Sequence, residues 1–384
     1  GHSGARDLAL GQWLRLQAAV ASSVTPAQAL DHIGKVEQWP AFVRGRLSAQ
    51  LPAASATWGT AISRFGPFEA LAVGDALADV ARPDLALHGL VETLPLGGRL
   101  RLTLSNVAFA DRVLDLLDGR WSDTAVRRYF TRETATELVE TCGLTVREVE
   151  EHPGTAQDPS RTTAVLGGRA DLVTAFTLHC ERTHRGTIPP PTTFAPAVDY
   201  TTLFQRGDGT CHSREIALLD GCHRVVEIAP ASDMTHWLSD LGHRVTVVDR
   251  AVPSASRRWA ERVVVGDLDQ DRWWSGLESS ADAVLLGNVI EHVADPVSVL
   301  RDAARCLDAS GSARRIVVSV PNVAHADVRI ALASGRWNYR DTGILDRTHL
   351  HFFTAARLRA AATQAGLDVI EQRATQLPRG ASVN

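Results

Sequence analysis

The chain carries the back half of one folding unit twice. Phe68–Pro83 matches Ala281–Pro296 at a single offset, setting Gly74 against Gly287, Asp75 against Asn288, Val80 against Val293 and Pro83 against Pro296. Further on, Ser105-Asn106-Val107-Ala108 matches Pro321-Asn322-Val323-Ala324, and Gly119-Arg120-Trp121 matches Gly335-Arg336-Trp337. Phe130-Thr131 then matches Phe353-Thr354, and Gly143-Leu144 matches Gly366-Leu367. Agreement in one order over such a span is the mark of repeated architecture, not of shared composition.

The two copies differ in ways that matter for chemistry. Trp337 and Phe353 lie 16 positions apart where Trp121 and Phe130 lie 9 apart, so the second copy carries an insertion that includes Asp346, Arg347 and His349. The second copy also has a full front half, residues 222–280, for which the first shows no counterpart. Residues 7–50 read instead as helices: Leu8, Leu10, Trp13, Leu14, Leu16 and Val20 share a broad apolar face, and Thr25-Pro26 fits an N-cap followed by the first helical position. Pro189, Pro190, Pro191 and Pro196 favour an extended connection. The expected organisation is therefore a domain over 1–185, a Pro-rich linker over 186–210 and a second domain over 211–384.

Strands and helices alternate in the second copy. Strands are expected at Arg224–Ile228, Arg244–Val248, Arg262–Val265, Asp282–Leu286, Arg315–Val320 and Leu367–Glu371, with helices at Met234–Leu241, Val297–Leu307 and Ala355–Ala365. Ala170–Cys180 reads as a strand closing the first domain. Continuous apolar strands separated by helices predict an α/β, doubly wound parallel sheet covered on both faces. Ligands of such sheets bind beyond the carboxyl ends of the strands. Glu227 lies in the first strand, Asp249 ends the second, and Asp267 follows the third. A carboxylate at the second of these places can accept from both ribose hydroxyls of a nucleoside, and one at the third from an adenine amino group.

Val225–Asp233, Gly242–Asp249, Gly266-Asp267-Leu268 and Leu286–His292 resemble the successive motifs of class I S-adenosylmethionine (SAM) methyltransferases. Ser319–Ala324 and Asp346–Phe353 look like a bacterial subgroup associated with glycan or natural-product modification. The resemblance covers 222–373 fully and 68–150 as a partial, degenerate copy. It implies a Rossmann-like class I fold with SAM as cofactor. By the same resemblance Asp249 holds the ribose, Asp267 and Leu268 frame the adenine, Asn288 lies near the methionyl end, and residues 229–233 pass under the amino-acid moiety. The family's three loop glycines are here Ala229, Ala231 and Asp233, and Asn288 stands where an aspartate is common. Glycine is used where the backbone needs positive φ or approaches a ligand closely, so these changes are expected to weaken SAM binding.

Methyl transfer from SAM needs mainly alignment, with a base where the acceptor is a hydroxyl. His349 is the first candidate base, with His351 and Asp346 behind it; bracing of the loop is the competing role. His292 reads as structural or as part of the cofactor's surroundings. Trp273, Trp274 and Trp337 fit either an acceptor pocket or ordinary packing, and the match of Trp337 to Trp121 favours packing. The first copy keeps Gly74-Asp75 but no ribose acid. Its expected use is as a pseudo-subunit, making the chain an intramolecular pseudo-dimer, with further homo-oligomerisation left open.

Composition excludes several other classes. Net charge is −4 and Lys35 is the only lysine, so no clustered positive field marks a nucleic-acid site. No stretch has the length and apolarity of a membrane helix. Gly1-His2-Ser3-Gly4 has no basic or apolar region of a signal peptide and reads as the remnant of a cleaved tag. The five cysteines form no framework, which fits reduced thiols in a cytoplasmic protein. His179-Cys180, His184, Cys211-His212 and Cys222-His223 contain no Cys-x2–4-Cys pair, so no metal site is expected among them. Three functions stay in view: SAM-dependent methylation of a hydroxyl or amine on a small molecule, natural product or sugar; other chemistry on the same fold; and a non-catalytic scaffold.

Overall fold

The protein is described here from a computed structural model covering residues 69–121, 126–195, 209–230, 233–270, 272–308 and 314–375. The helices expected over 7–50, and residues 196–208 of the expected linker, lie outside the described residues. Two compact units emerge. The first comprises residues up to Asp118 with Ser122–Pro196 and Val328–Arg340; the second comprises Gly119–Trp121, Ala197–Asp327 and Asp341–Asn384. Each unit thus includes a short segment from the far part of the sequence, an exchange that a linear division of the chain does not contain.

In the first unit, strand β1 (Ala70–Val73) leads through a 3-10 turn at Asp75–Asp79 to helix α1 (Pro83–Val91) and strand β2 (Arg99–Ser105). Helices α2 (Ala110–Leu117) and α3 (Arg132–Thr141), strand β3 (Leu144–Pro153), helix α4 (Pro159–Leu166) and strand β4 (Val173–Arg182) follow. The sheet order is β1-β2-β4-β3. β1 and β2 are parallel, while β4 runs antiparallel to both β2 and β3. Pro83 occupies the first turn of α1, where its missing N–H costs no helical bond. Thr131 caps α3 in a reciprocal box with Thr134. Leu87, Leu90, Leu102, Leu104, Phe130, Phe176 and Leu178 fill the core. Trp337 belongs to this unit and packs against Tyr129 with ring centroids 5.5 Å apart, so its place is in packing.

The second unit holds helix α5 (Cys211–Ala217), β5 (Arg224–Ile228), α6 (Met234–Asp240), β6 (Arg244–Asp249), α7 (Ser254–Trp259) and β7 (Arg262–Val265). It continues with β8 (Ala283–Gly287), α8 (Pro296–Arg305), β9 (Arg315–Ser319), α9 (Ala326–Ala333, whose residues from Val328 count with the first unit) and α10 (Ala355–Gln364). The sheet order is β7-β6-β5-β8-β9, parallel throughout. The order reverses at β5, which places the switch point between β5 and β8. One core layer is built on Val226, Ile228, Val284, Leu286, Leu300 and Phe353, another on Val225, Leu238, Val245, Val247 and Leu285. Alternate residues of the same strands serve the two layers, as a sheet covered on both faces requires.

One expected strand does not form. Leu367–Glu371 has no ladder partner, and Ile370 is 86% exposed. Its sequence counterpart, β3, pairs only with β4. The described residues of the second unit supply no strand like β4 to pair with 367–371.

Candidate active site

The carboxyl edge of β5–β8 gathers the residues expected to meet a nucleoside. Asp249 closes β6 in register with Val265 of β7, and Asp267 follows two residues later. Both are half-buried. One oxygen of each is used locally: Asp249 Oδ1 accepts from the Ala251 N–H at 3.1 Å and Asp267 Oδ1 from the Asp269 N–H at 3.0 Å. Asp267 Oδ2 lies 3.9 Å from Arg250. Leu268 packs on the core beside them.

The loop after β5 has kept the conformation that glycine normally supplies. Ala229 sits at φ +49°, and its N–H donates to Val248 O at 2.8 Å. Left-handed backbone is costly for a residue with a Cβ. The substitution at this position therefore changes the side chain and not the path of the chain. Ala231 lies outside the described residues. Asn288 is exposed at φ +53°, a region that asparagine tolerates better than most residues. Its N–H reaches both the carbonyl and the hydroxyl of Ser319 at 3.1 Å.

Three glutamates are buried around this edge. Glu227 is 2% exposed and its Oε2 accepts from Thr235 Oγ1 at 2.7 Å; burial pushes its carboxyl up to about 8. Glu215, from α5, is 3% exposed. Its Oε1 accepts from Ser319 Oγ at 2.5 Å and from Cys211 Sγ at 3.3 Å, while Oε2 has no partner. A Cβ added to Gly287 would stand 3.0 Å from that Oε1, so glycine there makes room for the carboxylate. Burial, with the Glu215 carboxylate beside it, pushes the Cys211 thiol up to about 12, which makes it a poor nucleophile. Glu291 is 1% exposed with neither oxygen partnered. Burial, and then the charges of Asp346 and Glu215, push its carboxyl up to about 8.

The insertion loop folds against Glu291. The Leu350 and His351 N–H groups donate to Glu291 O at 2.7 and 3.0 Å. His349 is 4% exposed, and its ring meets that of His292 edge-on with centroids 4.7 Å apart. Ligating atoms of Glu291, His292 and His349 lie within 4.8 Å of one another. Asp346 accepts from the N–H and Oγ1 of Thr348, both at 2.7 Å. His351 is tied through Nε2 to Ala294 O at 3.3 Å. Of the three expected catalytic residues, His349 and Asp346 therefore enter one network with Glu291 and His292, and His351 bonds elsewhere. Glu215 and Glu291 were not among the expected site residues. Nor do the residues that converge come from the His179–His223 stretch weighed for metal.

Residues 202–372 match a family model described as a methyltransferase domain. The second unit has the Rossmann-like class I methyltransferase fold. SAM is the cofactor that domains of this fold take when they methylate. No curated protein matches the chain. Among solved structures, the chain is similar to a phosphoethanolamine N-methyltransferase of Haemonchus contortus, at 13% identity and a TM-score of 0.30 over 80% of this chain and 72% of that one. It is similar to an O-methyltransferase family protein of Burkholderia thailandensis at 14% identity, TM-score 0.31, covering 42% and 52%. It is also similar to a structure of the Trm112 methyltransferase activator in complex with its methyltransferase partner from Haloferax volcanii, at 20% identity, TM-score 0.32, covering 42% and 70%. Among the described residues no helix is long and apolar enough to cross a membrane.

Proposed function

We propose that the protein is a SAM-dependent methyltransferase that methylates a hydroxyl, or an amine, on a small molecule, natural product or sugar. The observation that carries this reading is the pair Asp249 and Asp267 at the ends of adjacent parallel strands, each with one oxygen engaged by its own turn. Vicinal ribose hydroxyls and an adenine amino group are donors that such a pair recognises. The buried acid Glu215 stands at the same edge, which suits a cofactor bearing both an ammonium and a sulfonium. The methyl group is already activated, so the protein's work is alignment and removal of the acceptor's proton. His349, within the Glu291–His292–His349 cluster, is the group assigned to the proton. Residues 1–185 act, in this reading, as a degenerate copy kept for support, a fused pseudo-subunit without a nucleoside site of its own.

Calorimetry with SAM and S-adenosylhomocysteine tests the reading. Micromolar binding that Asp249→Ala abolishes is the expected result. Absence of binding at millimolar ligand would overturn it. The changed loop at Ala229 and Asp233 would then favour the second reading, a methyltransferase fold turned to other chemistry or to scaffolding.

A further inference from the structure

We propose that Glu291, His292 and His349 form a binding site for a first-row transition-metal dication, with zinc the best fit. Ligating atoms of the three residues stand within 4.8 Å of one another, and side-chain movements of up to about 1.5 Å would bring them to the spacing of a tetrahedral ion. Glu291 is almost fully buried, and both its oxygens lack a partner. A buried carboxyl with neither oxygen hydrogen-bonded is costly, and a dication that displaces its proton would satisfy it.

The surrounding hydrogen bonds set both imidazoles in the ligating tautomer. His349 Nδ1 lies 3.1 Å from Ile344 O, a carbonyl that can only accept. Nδ1 therefore carries the proton and Nε2 the lone pair. Thr348 Oγ1 gives its hydrogen to Asp346 Oδ1 at 2.7 Å, so towards His292 Nδ1, 3.1 Å away, it accepts. His292 too is then protonated at Nδ1, leaving its lone pair on Nε2. Ligating histidines characteristically donate their second N–H to a carbonyl or into a carboxylate-backed chain, and both do so here. Two imidazoles and one carboxylate favour zinc and its first-row neighbours over magnesium or calcium, which prefer all-oxygen shells.

Three protein ligands leave a coordination position open, as catalytic zinc sites do. The use of that position rests on the methyl-transfer reading above; the site itself does not. An acceptor hydroxyl bound there is acidified. Its proton leaves to solvent, its oxygen bonds to the methyl carbon, and the carbon–sulfur bond of SAM breaks to give a methyl ether and S-adenosylhomocysteine. With the ion bound, His349 acts by holding it, in place of the base role proposed above for the metal-free protein.

The test is zinc titration of the full, chelator-stripped chain in competition with a chromogenic indicator, followed by cobalt loading and visible spectroscopy. One equivalent of zinc with sub-micromolar Kd and cobalt d–d bands of a four- or five-coordinate ion are expected. Glu291→Gln and His349→Ala should each weaken zinc at least about 100-fold, while His236→Ala, which removes a ring stacked on Trp259, should change nothing. Should His349→Ala fail to fold, the half-buried His292→Gln and the near-isosteric Glu291→Gln decide. Less than a tenth of an equivalent in the wild type, or equal affinity in those variants, overturns the site. Stoichiometric zinc without SAM binding would instead defeat the methyl-transfer reading and leave the site standing.

Discussion

The segment β1–α1–β2 of the first unit and the segment β8–α8–β9 of the second solve one backbone problem in one way. Both pair two parallel strands through a helix with proline in its first turn. In both, an asparagine after the second strand caps its own turn at 3.0 Å and bridges to a phenylalanine, Asn106 to Phe130 and Asn322 to Phe353. They part company in their carboxylates. In the first unit the buried Asp84 accepts two bonds from Arg82 at 2.9 Å and one from the Phe194 N–H at 3.2 Å. In the second, Glu215 keeps one oxygen unpartnered and Glu291 both. Asp84 is satisfied by protein donors, whereas Glu215 and Glu291 keep oxygens that a ligand can meet. Groups left unsatisfied in a folded interior mark function more reliably than the fold around them does.

The largest expected effect separates the two copies by ligand. Asp249→Ala should weaken SAM at least about 100-fold, since two hydrogen bonds to a charged acceptor are worth about 1.5–3 kcal/mol each. Asp75→Ala should leave SAM affinity unchanged in the same calorimetric titration. Its carboxylate is spent on Ser105, accepting from the N–H and the Oγ at 2.6 Å each, so its loss should appear in chemical denaturation instead, at about 1–3 kcal/mol.

The next effect is a pH dependence that belongs to the second unit. Glu227 stays protonated in the folded chain up to about 8, against 4.5 for an ordinary carboxyl. Between those values the folded state binds a proton that the unfolded state has released. The contribution is therefore fully present below pH 4.5 and is lost as pH rises towards 8, by at most about 1.4 kcal/mol per pH unit. Urea denaturation of the ligand-free protein at pH 5, 6, 7 and 8 should show this fall together with a like one from Glu291, and Glu227→Gln should lessen it. An unchanged slope in the variant would mean that Glu227 is ionised in the fold.

A smaller effect contrasts the paired glycines. Gly287→Ala brings a Cβ to 3.0 and 3.2 Å from the Glu215 oxygens, and Ser319 holds that carboxylate in place. Overpacking of this kind costs about 1–3 kcal/mol. Gly74→Ala meets nothing within 4 Å and sits at φ −103°, so it should stay within about 0.5 kcal/mol of the wild type. Equal thermal shifts in the two variants would show that Glu215 does not need the space.

Sequence alone shows the five parallel strands and the aspartates at the ends of two of them because both are local properties: apolar runs of strand length and an acid after each. It does not show Glu215, a lone acid in a short helix, because what sets it apart is its arrival beside Gly287 and Ser319, contacts 72 and 104 positions away. Glu291 is visible as a residue but not as an unsatisfied one, which depends on what the loop 341–353 brings to it. Trp337 shows the same limit. Its neighbours in sequence belong to the second copy, yet it packs on Tyr129 of the first unit. The strand at 367–371 has the right residues but no partner, and a sequence pattern carries no information about a missing neighbour.

The smallest expected effect concerns the loop that departs most from the methyltransferase pattern. Ala229 holds a backbone conformation that costs an alanine about 1 kcal/mol more than a glycine. Ala229→Gly relieves that cost but adds freedom to the unfolded chain, which returns part of the gain. The net expectation is a stabilisation of up to about 1 kcal/mol in denaturant titration. Its effect on SAM affinity is the more informative reading. The alanine already follows the glycine path, so affinity should change less than about threefold. A gain of tenfold or more would show that the methyl group itself crowds the cofactor, and that the second unit's site has been narrowed at Ala229 while its backbone was left intact.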